Sequence, residues 1–232
     1  MQLDVAKLAR MVDVSVVRAN VDYEELKELA EFARRYKCIG AHPMTCYVRE
    51  LSEMLRDVPE VLVGGVVGFP FGSQPTEVKV YETRLAIEAG AKEIDVVQNI
   101  GFLRSGWDER VESDIHDVVE AAAPLPVKVI FEIAYLTDDE IVRSCKAAVR
   151  AGAAFVKTAT GHAPSGATPE AVTLMRNSVP SNVVVKAAGG VKTLDSFIAH
   201  YKAGARRFGI NVPFTKQIIT ELEARGSVEL PD

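Results

Sequence analysis

Short runs of β-branched and other apolar residues alternate along this chain with longer amphipathic segments, a rhythm that predicts strands each followed by a helix. Residues 11–14 lead to a helix over 23–36, and residues 38–41 lead to one over 45–57. The strand at 62–67 passes through GFPFGSQP into a helix over 76–89, and the strand at 93–97 passes through NIGFLRSGW into a helix over 108–122. In the second half, strands at 127–132, 153–156, 183–187 and 207–210 precede helices at 138–150, 169–177, 194–202 and 213–225. Three helix exits repeat one chemistry: EAGAKEIDVV from Glu88, RAGAAFVKTA from Arg150 and KAGARRFGI from Lys202. In each, glycine suits the left-handed residue that ends a helix, and a strand begins at once. Each parallel strand needs a helical crossover, and eight strands close a sheet, so the expected fold is α/β, a single (β/α)8 TIM barrel spanning residues 1–232 as one domain.

A lysine interrupts one of these apolar runs. Lys157, in AGAAFVKTATGHAPSGAT, sits where a strand meets its following loop, the end at which parallel α/β folds bind ligands. Alternation sends every second side chain inward, so Phe155 and Lys157 share the barrel side while Val156 and Thr158 face the helices. Lys186, in VVVKAAGG, holds the equivalent place on the next strand, about 4.8 Å away. Two ammonium groups about 5 Å apart at an effective dielectric near 20 repel by roughly 3 kcal/mol, enough to lower one lysine by about two pKa units. A neutral amine in a pocket can attack an aldehyde or ketone to form a Schiff base. Asp95 in EIDVV, Glu132 in KVIFEIA and Asp13 are expected at the same rim, where a carboxylate can move protons. Lys128 and Glu93 lie nearer strand starts and read as structural, a buried pair.

Composition narrows the partners. The chain has 232 residues, 48% of them hydrophobic, and a formal net charge of -5 with both signs scattered, so no basic stripe offers itself to nucleic acid or an anionic membrane. The N-terminal MQLDVAKLARMVD carries charges where a secretory signal needs an apolar core, and a cytoplasmic protein is expected. Three widely spaced cysteines, Cys38, Cys46 and Cys145, read as reduced thiols. His42, His116, His162 and His200 lack metal-ligand spacing, so zinc-dependent chemistry is not expected. The expected partner is a small-molecule aldehyde or phosphosugar, and a homo-oligomer is compatible with the chain. Gly189, Gly190 and Gly209, with Asn211, lie where barrels bind phosphate through backbone N–H groups, and His162 follows the Lys157 motif closely enough to touch substrate.

The segments VVGFPFGSQPTEVKVYETRLAIEAGAKEIDVVQNIG, VKVIFEIAYLTDDEI, AGAAFVKTATGHAPSGATPEAVTLM and VKAAGGVKT are long and in order, and in them the chain resembles the deoxyribose-phosphate aldolase family over nearly its whole length. The resemblance implies a class I aldolase that reversibly cleaves 2-deoxy-D-ribose 5-phosphate to glyceraldehyde 3-phosphate and acetaldehyde, with no metal or organic cofactor. It implies Lys157 as the Schiff-base lysine, Lys186 as the second lysine that perturbs it and Asp95 as the proton-transfer aspartate. Three departures touch the substrate end: Ile210-Asn211-Val212 stands where the family commonly has a pair of small hydroxyl residues, His162 where many members have a basic or small residue, and Leu230-Pro231-Asp232 where many have a terminal tyrosine. A Schiff-base aldolase with a different aldehyde acceptor, a phosphosugar isomerase that needs no metal, and a silent metabolite-binding barrel are the competing readings. An inert relative is free to lose the Lys157, Lys186 and Asp95 set that this chain keeps.

Overall fold

The computed structural model describes residues 2–226 and 228–231. Its parallel strands are β1 (Val12–Val16), β2 (Gly40–Pro43), β3 (Leu62–Val67), β4 (Glu93–Val97), β5 (Val127–Ile130), β6 (Phe155–Lys157), β7 (Val184–Ala188) and β8 (Arg207–Asn211). They close into a barrel in chain order, with β8 paired back onto β1. The outer ring is α1 (Tyr23–Tyr36), α2 (Val48–Met54), α3 (Thr76–Glu88), α4 (Asp108–Ala122), α5 (Asp138–Arg150), α6 (Pro169–Ser178), α7 (Leu194–Lys202) and α8 (Val212–Arg225). This is the expected (β/α)8 barrel.

Local chemistry sets the helix ends. Asp22, Thr168, Thr193 and Asn211 each accept a hydrogen bond from a first-turn N–H, and Thr137 forms a reciprocal capping box with Glu140. At the three repeated exits Gly90, Gly152 and Gly204 adopt φ of 109, 85 and 114°, which lets the chain turn straight into the next strand. The outward-facing strand residues, among them Val14, Ile94, Val129, Val156, Val185 and Phe208, are buried under the helices and form the apolar core.

Several boundaries differ from the expectation. The helix expected over 45–57 is a 3-10 turn, Thr45–Tyr47, followed by Val48–Met54, and Asp57 instead pairs with Arg34 of α1. The strand expected over 127–132 stops at Ile130, because Glu132 turns the chain through φ 58°. The second strand begins at Gly40 rather than at residue 38. Two five-residue helices, Val5–Ala9 and Ile100–Arg104, and the antiparallel pairing of Gln2–Leu3 with Val228–Glu229 are too short to leave a periodic signal. Asp232, the last residue of the tail discussed above, lies outside the described residues.

Candidate active site

The barrel interior is filled with charge where such barrels usually pack branched apolar side chains. Asp95 on β4 is in register with Lys128 on β5, and Lys157 on β6 with Lys186 on β7, which in turn is in register with Arg207 on β8. Lys157 Nζ and Lys186 Nζ donate to the same oxygen, Asp95 Oδ2, at 2.8 and 2.7 Å. The other oxygen, Oδ1, accepts from Lys128 Nζ at 2.9 Å. Deeper in, Lys128 lies 2.8 Å from Glu93, Arg207 bridges Glu93 and Asp13, and Lys186 reaches Asp13 Oδ2 at 2.6 Å. The Phe155 ring, facing inward as its parity requires, lies beneath Lys128 and Arg207.

Glycines make the room. A Cβ on Gly40 would come within 2.3 Å of Asp13 Oδ1, and one on Gly209 within 3.3 Å of Lys186 Cε. Gly64 does the same for His42.

Four cations, Lys128, Lys157, Lys186 and Arg207, face three carboxylates, Asp13, Glu93 and Asp95, all buried. One positive charge is in surplus, and Lys157, the lysine nearest the mouth, is the one that yields. Burial is the first cause that lowers its pKa to about 8; Asp95 opposes the shift and Lys186 adds to it. Lys186 thus lowers Lys157 as expected, and desolvation, which the spacing of the two lysines does not reveal, contributes more. Burial also works against the charge on Asp95, but Lys128, Lys157 and Lys186 outweigh it and hold its carboxyl well below the usual range. Burial, followed by Lys186, lowers His42, so its imidazole is neutral.

A cavity of about 920 Å³ opens above this cluster, lined by Lys157, Lys186, His42 and Asp13 at its floor and by Arg18, Glu25, His162, Lys192 and Phe214 towards its mouth. Lys157, Lys186 and Asp95 thus meet at one point. Gly189 and Gly190 lie in the loop after β7 and line the cavity. Gly209 is within β8 rather than beyond it, because its missing side chain accommodates Lys186. Asn211 lines the cavity too, but its Oδ1 is taken by the N–H of Phe214 as the cap of α8. His162 spans the mouth, with Nε2 2.7 Å from the Val17 carbonyl and its ring edge-on to Phe69. Glu132 lies at the same end of the barrel but forms no direct ion pair with the lysines among the described residues: burial raises its pKa while Thr160 and the Lys157 charge oppose the shift, and its carboxyl accepts from the N–H and hydroxyl of Thr160, fixing the loop after β6.

Sequence reasoning set Lys128 and Glu93 apart from the site and passed over His42 and Arg207. The pair does form, but it also abuts Asp95, and the inward parity of β4 and β5 carried that signal. Asp13, His42 and Glu93 bring one ligand atom each within 4.8 Å of the others, as a metal site would. Asp13 and Glu93 already face Lys128, Lys186 and Arg207, however, so a divalent ion there would have to displace an ion pair at both carboxylates.

Comparison with known proteins gives a consistent picture. The model of the DeoC/LacD family of aldolases matches residues 11–212. A deoxyribose-phosphate aldolase of Klebsiella pneumoniae subsp. pneumoniae is 42% identical over 219 residues, covering 94% of this chain and 88% of the relative. One of Bacillus cereus is 44% identical over 203 residues, covering 87% of this chain and 91% of the relative. A tetrameric deoxyribose phosphate aldolase from Aeropyrum pernix superposes with a TM-score of 0.88 at 28% identity, over 96% of this chain and 93% of the other.

Proposed function

The chain belongs to the DeoC/LacD family of aldolases, and we propose that it reversibly cleaves 2-deoxy-D-ribose 5-phosphate into glyceraldehyde 3-phosphate and acetaldehyde through a Schiff base on Lys157. The observation that carries this reading is the meeting of Lys157 and Lys186 on one oxygen of Asp95, at the floor of a cavity wide enough for a pentose phosphate.

In this mechanism the neutral fraction of Lys157 attacks C1 of the open-chain sugar, and loss of water leaves an iminium. The C2–C3 bond then breaks, the C3 hydroxyl gives up its proton and becomes the aldehyde of glyceraldehyde 3-phosphate, and the bonding pair moves onto C2 and nitrogen to form an enamine. Protonation at C2 restores an iminium, and water releases acetaldehyde and Lys157. No electrons are exchanged with an outside carrier, so these steps require no redox cofactor, and the iminium nitrogen is the electron sink for the bond that breaks. Lys186 keeps a positive charge beside the reacting nitrogen, and Asp95 orients both lysines and supports proton transfer, directly or through water.

At the far end, the loop Gly189–Lys192 supports phosphate binding through its backbone N–H groups and the exposed Lys192 ammonium. The setting we propose is carbohydrate catabolism in the cytoplasm, consistent with free thiols at Cys38, Cys46 and Cys145. The tetrameric relative, together with Phe71, Val78, Tyr81 and Leu85 exposed on and just before α3, favours a homo-oligomer.

The test is borohydride reduction in the presence of acetaldehyde, followed by intact mass and peptide mapping. The ethyl group is expected on Lys157. Labelling of Lys186 instead, or no labelling, would sink the assignment.

A further inference from the structure

One hydroxyl in the cavity wall has no partner in the protein. On β1, strand parity turns Asp13 and Ser15 towards the barrel axis, while Val14 and Val16 pack in the apolar core. Ser15 lines the cavity and is half-buried there, so its side chain can be reached from the cavity. Among the described residues, no group donates a hydrogen bond to its hydroxyl or accepts one from it. Three other polar side chains along the same wall are engaged. Thr160 donates its hydroxyl to Glu132, Asn211 Oδ1 accepts from the Phe214 N–H, and His162 Nε2 lies 2.7 Å from the Val17 carbonyl.

The height of Ser15 in the barrel decides what it meets. It is in register with His42 on β2 and Asn211 on β8, one inward-facing layer above Asp13. Asp13 Oδ2 lies 2.6 Å from Lys186 Nζ, and Lys186 shares Asp95 Oδ2 with Lys157. Two residues along a parallel strand rise about 6.6 Å, which places Ser15 that far above the charged floor. In an extended sugar chain held on Lys157, the C4 hydroxyl is five bonds from the imine nitrogen, about 6 Å at ordinary bond lengths. The phosphate lies beyond it, towards the Gly189–Lys192 loop, which follows β7 and lines the same cavity. A chain running from Lys157 to that loop therefore brings its C4 hydroxyl to the level of Ser15.

We propose that Ser15 binds the C4 hydroxyl of 2-deoxyribose 5-phosphate, the hydroxyl that becomes the C2 hydroxyl of glyceraldehyde 3-phosphate, and so selects 2-hydroxyaldehydes as acceptors. The inference rests on the Schiff-base reading given above. A serine hydroxyl both donates and accepts, so it pairs with a sugar hydroxyl in either sense. The contact limits rotation about C3–C4 and presents C3 to C2 for the making and breaking of their bond. No bond or proton changes hands at Ser15. An acceptor without the hydroxyl forfeits the contact, and the site discriminates against it.

Aldol addition of acetaldehyde to two acceptors tests this: D-glyceraldehyde 3-phosphate, and 3-oxopropyl phosphate, which lacks only the C2 hydroxyl. Each is assayed with the unsubstituted protein and with Ser15→Ala, which removes one oxygen from the cavity wall. The substitution is expected to lower kcat/KM for glyceraldehyde 3-phosphate about three- to ten-fold, the range of one neutral hydrogen bond, and to leave that for 3-oxopropyl phosphate within about two-fold. Borohydride trapping of acetaldehyde on Lys157 should be unchanged in Ser15→Ala, because acetaldehyde carries no such hydroxyl; trapping also shows that the floor is assembled. Equal losses on both acceptors, or no loss on either, overturn the proposal. Lost trapping in Ser15→Ala overturns it as well, since the hydroxyl would then serve the floor. An unsubstituted protein that neither traps acetaldehyde nor adds it to glyceraldehyde 3-phosphate would defeat the Schiff-base reading itself, a result distinct from the others.

Discussion

Gly64 on β3 and His42 on β2 occupy one volume between them: a Cβ on the glycine would stand 2.0 Å from the imidazole Nε2 and 2.2 Å from Cδ2. His42 is buried against a closed strand pair, so a methyl group there forces the ring or the strand to move, and overpacking of this kind costs about 1–3 kcal/mol. Gly64→Ala is expected to lower stability by that amount in urea unfolding and to reduce turnover. Adding His42→Ala should recover most of the stability, since the clash partner is then gone. Full stability in the single variant would show that the fit is looser than the geometry indicates.

Imine formation should follow the Lys157 amine. Burial sets its pKa at about 8, below the free lysine value, so the neutral fraction grows as pH climbs through about 8 and falls below it. The initial rate of acetaldehyde trapping is expected to rise along that curve between neutral and alkaline pH. Lys157→Arg should abolish trapping at every pH, because a guanidinium stays protonated. A flat profile would mean that another step controls trapping.

Lys186 adds to the lowering of Lys157, and Asp95 opposes it. Lys186→Met is therefore expected to move the trapping profile to higher pH while leaving imine formation measurable. Asp95→Asn removes the opposing charge and should move the profile down, with turnover reduced more than trapping because the carboxylate also serves the later proton steps. Profiles that move in the same direction would contradict this electrostatic account.

Lys128 has no exposed surface and stands within 4 Å of Asp13, Glu93 and Asp95. Lys128→Met leaves buried carboxylates short of a counter-charge, for which about 3–5 kcal/mol of destabilisation is expected. Chemical unfolding measures it. A loss under about 1 kcal/mol would show that Arg207 and Lys186 suffice to hold the three acids.

The barrel was legible in the sequence because each βα unit carries its own punctuation: apolar runs of strand length, amphipathic helices, and the repeated Ala-Gly-Ala exits at Gly90, Gly152 and Gly204. Lys157, Lys186 and Asp95 were legible because a charge in an apolar strand needs a reason, and strand parity aims it inward. The deeper layer was harder to read. Lys128, Glu93 and Arg207 sit at strand starts, where charge is ordinary, and only barrel closure brings β8 against β1 and across from β4. His42 was hidden for another reason: its place depends on an absent side chain, at Gly64, on a different strand. The partner of Glu132 was hidden by a single residue at φ 58°, which ends β5 early and sets the carboxyl on Thr160 of the next loop.

The phosphate end tests how far helix termini and side chains share one task. Asn211-Val212-Pro213 opens α8, and a helix start normally offers several free N–H groups to a dianion. Here Pro213 has none, and the N–H of Phe214 is spent on Asn211 Oδ1 at 2.9 Å. At most the Val212 N–H remains, and the Val212 side chain is buried and without a donor. Recognition should therefore shift to the loop after β7, where Gly189 and Gly190 line the cavity and Lys192 projects into the mouth with its ammonium 5.4 Å from the Phe214 ring. Lys192→Gln is expected to lower kcat/KM for 2-deoxyribose 5-phosphate by about ten- to a hundred-fold, corresponding to about 1.5–3 kcal/mol for a hydrogen bond to a charged group. The value for unphosphorylated 2-deoxyribose should not change, since that sugar presents no dianion to Lys192. Asn211→Ser should leave both values close to those of the starting protein, because serine caps a helix about as well as asparagine. If Asn211→Ser alters the ratio of the two sugars while Lys192→Gln does not, the dianion sits on the α8 terminus after all, despite the missing donor at Pro213.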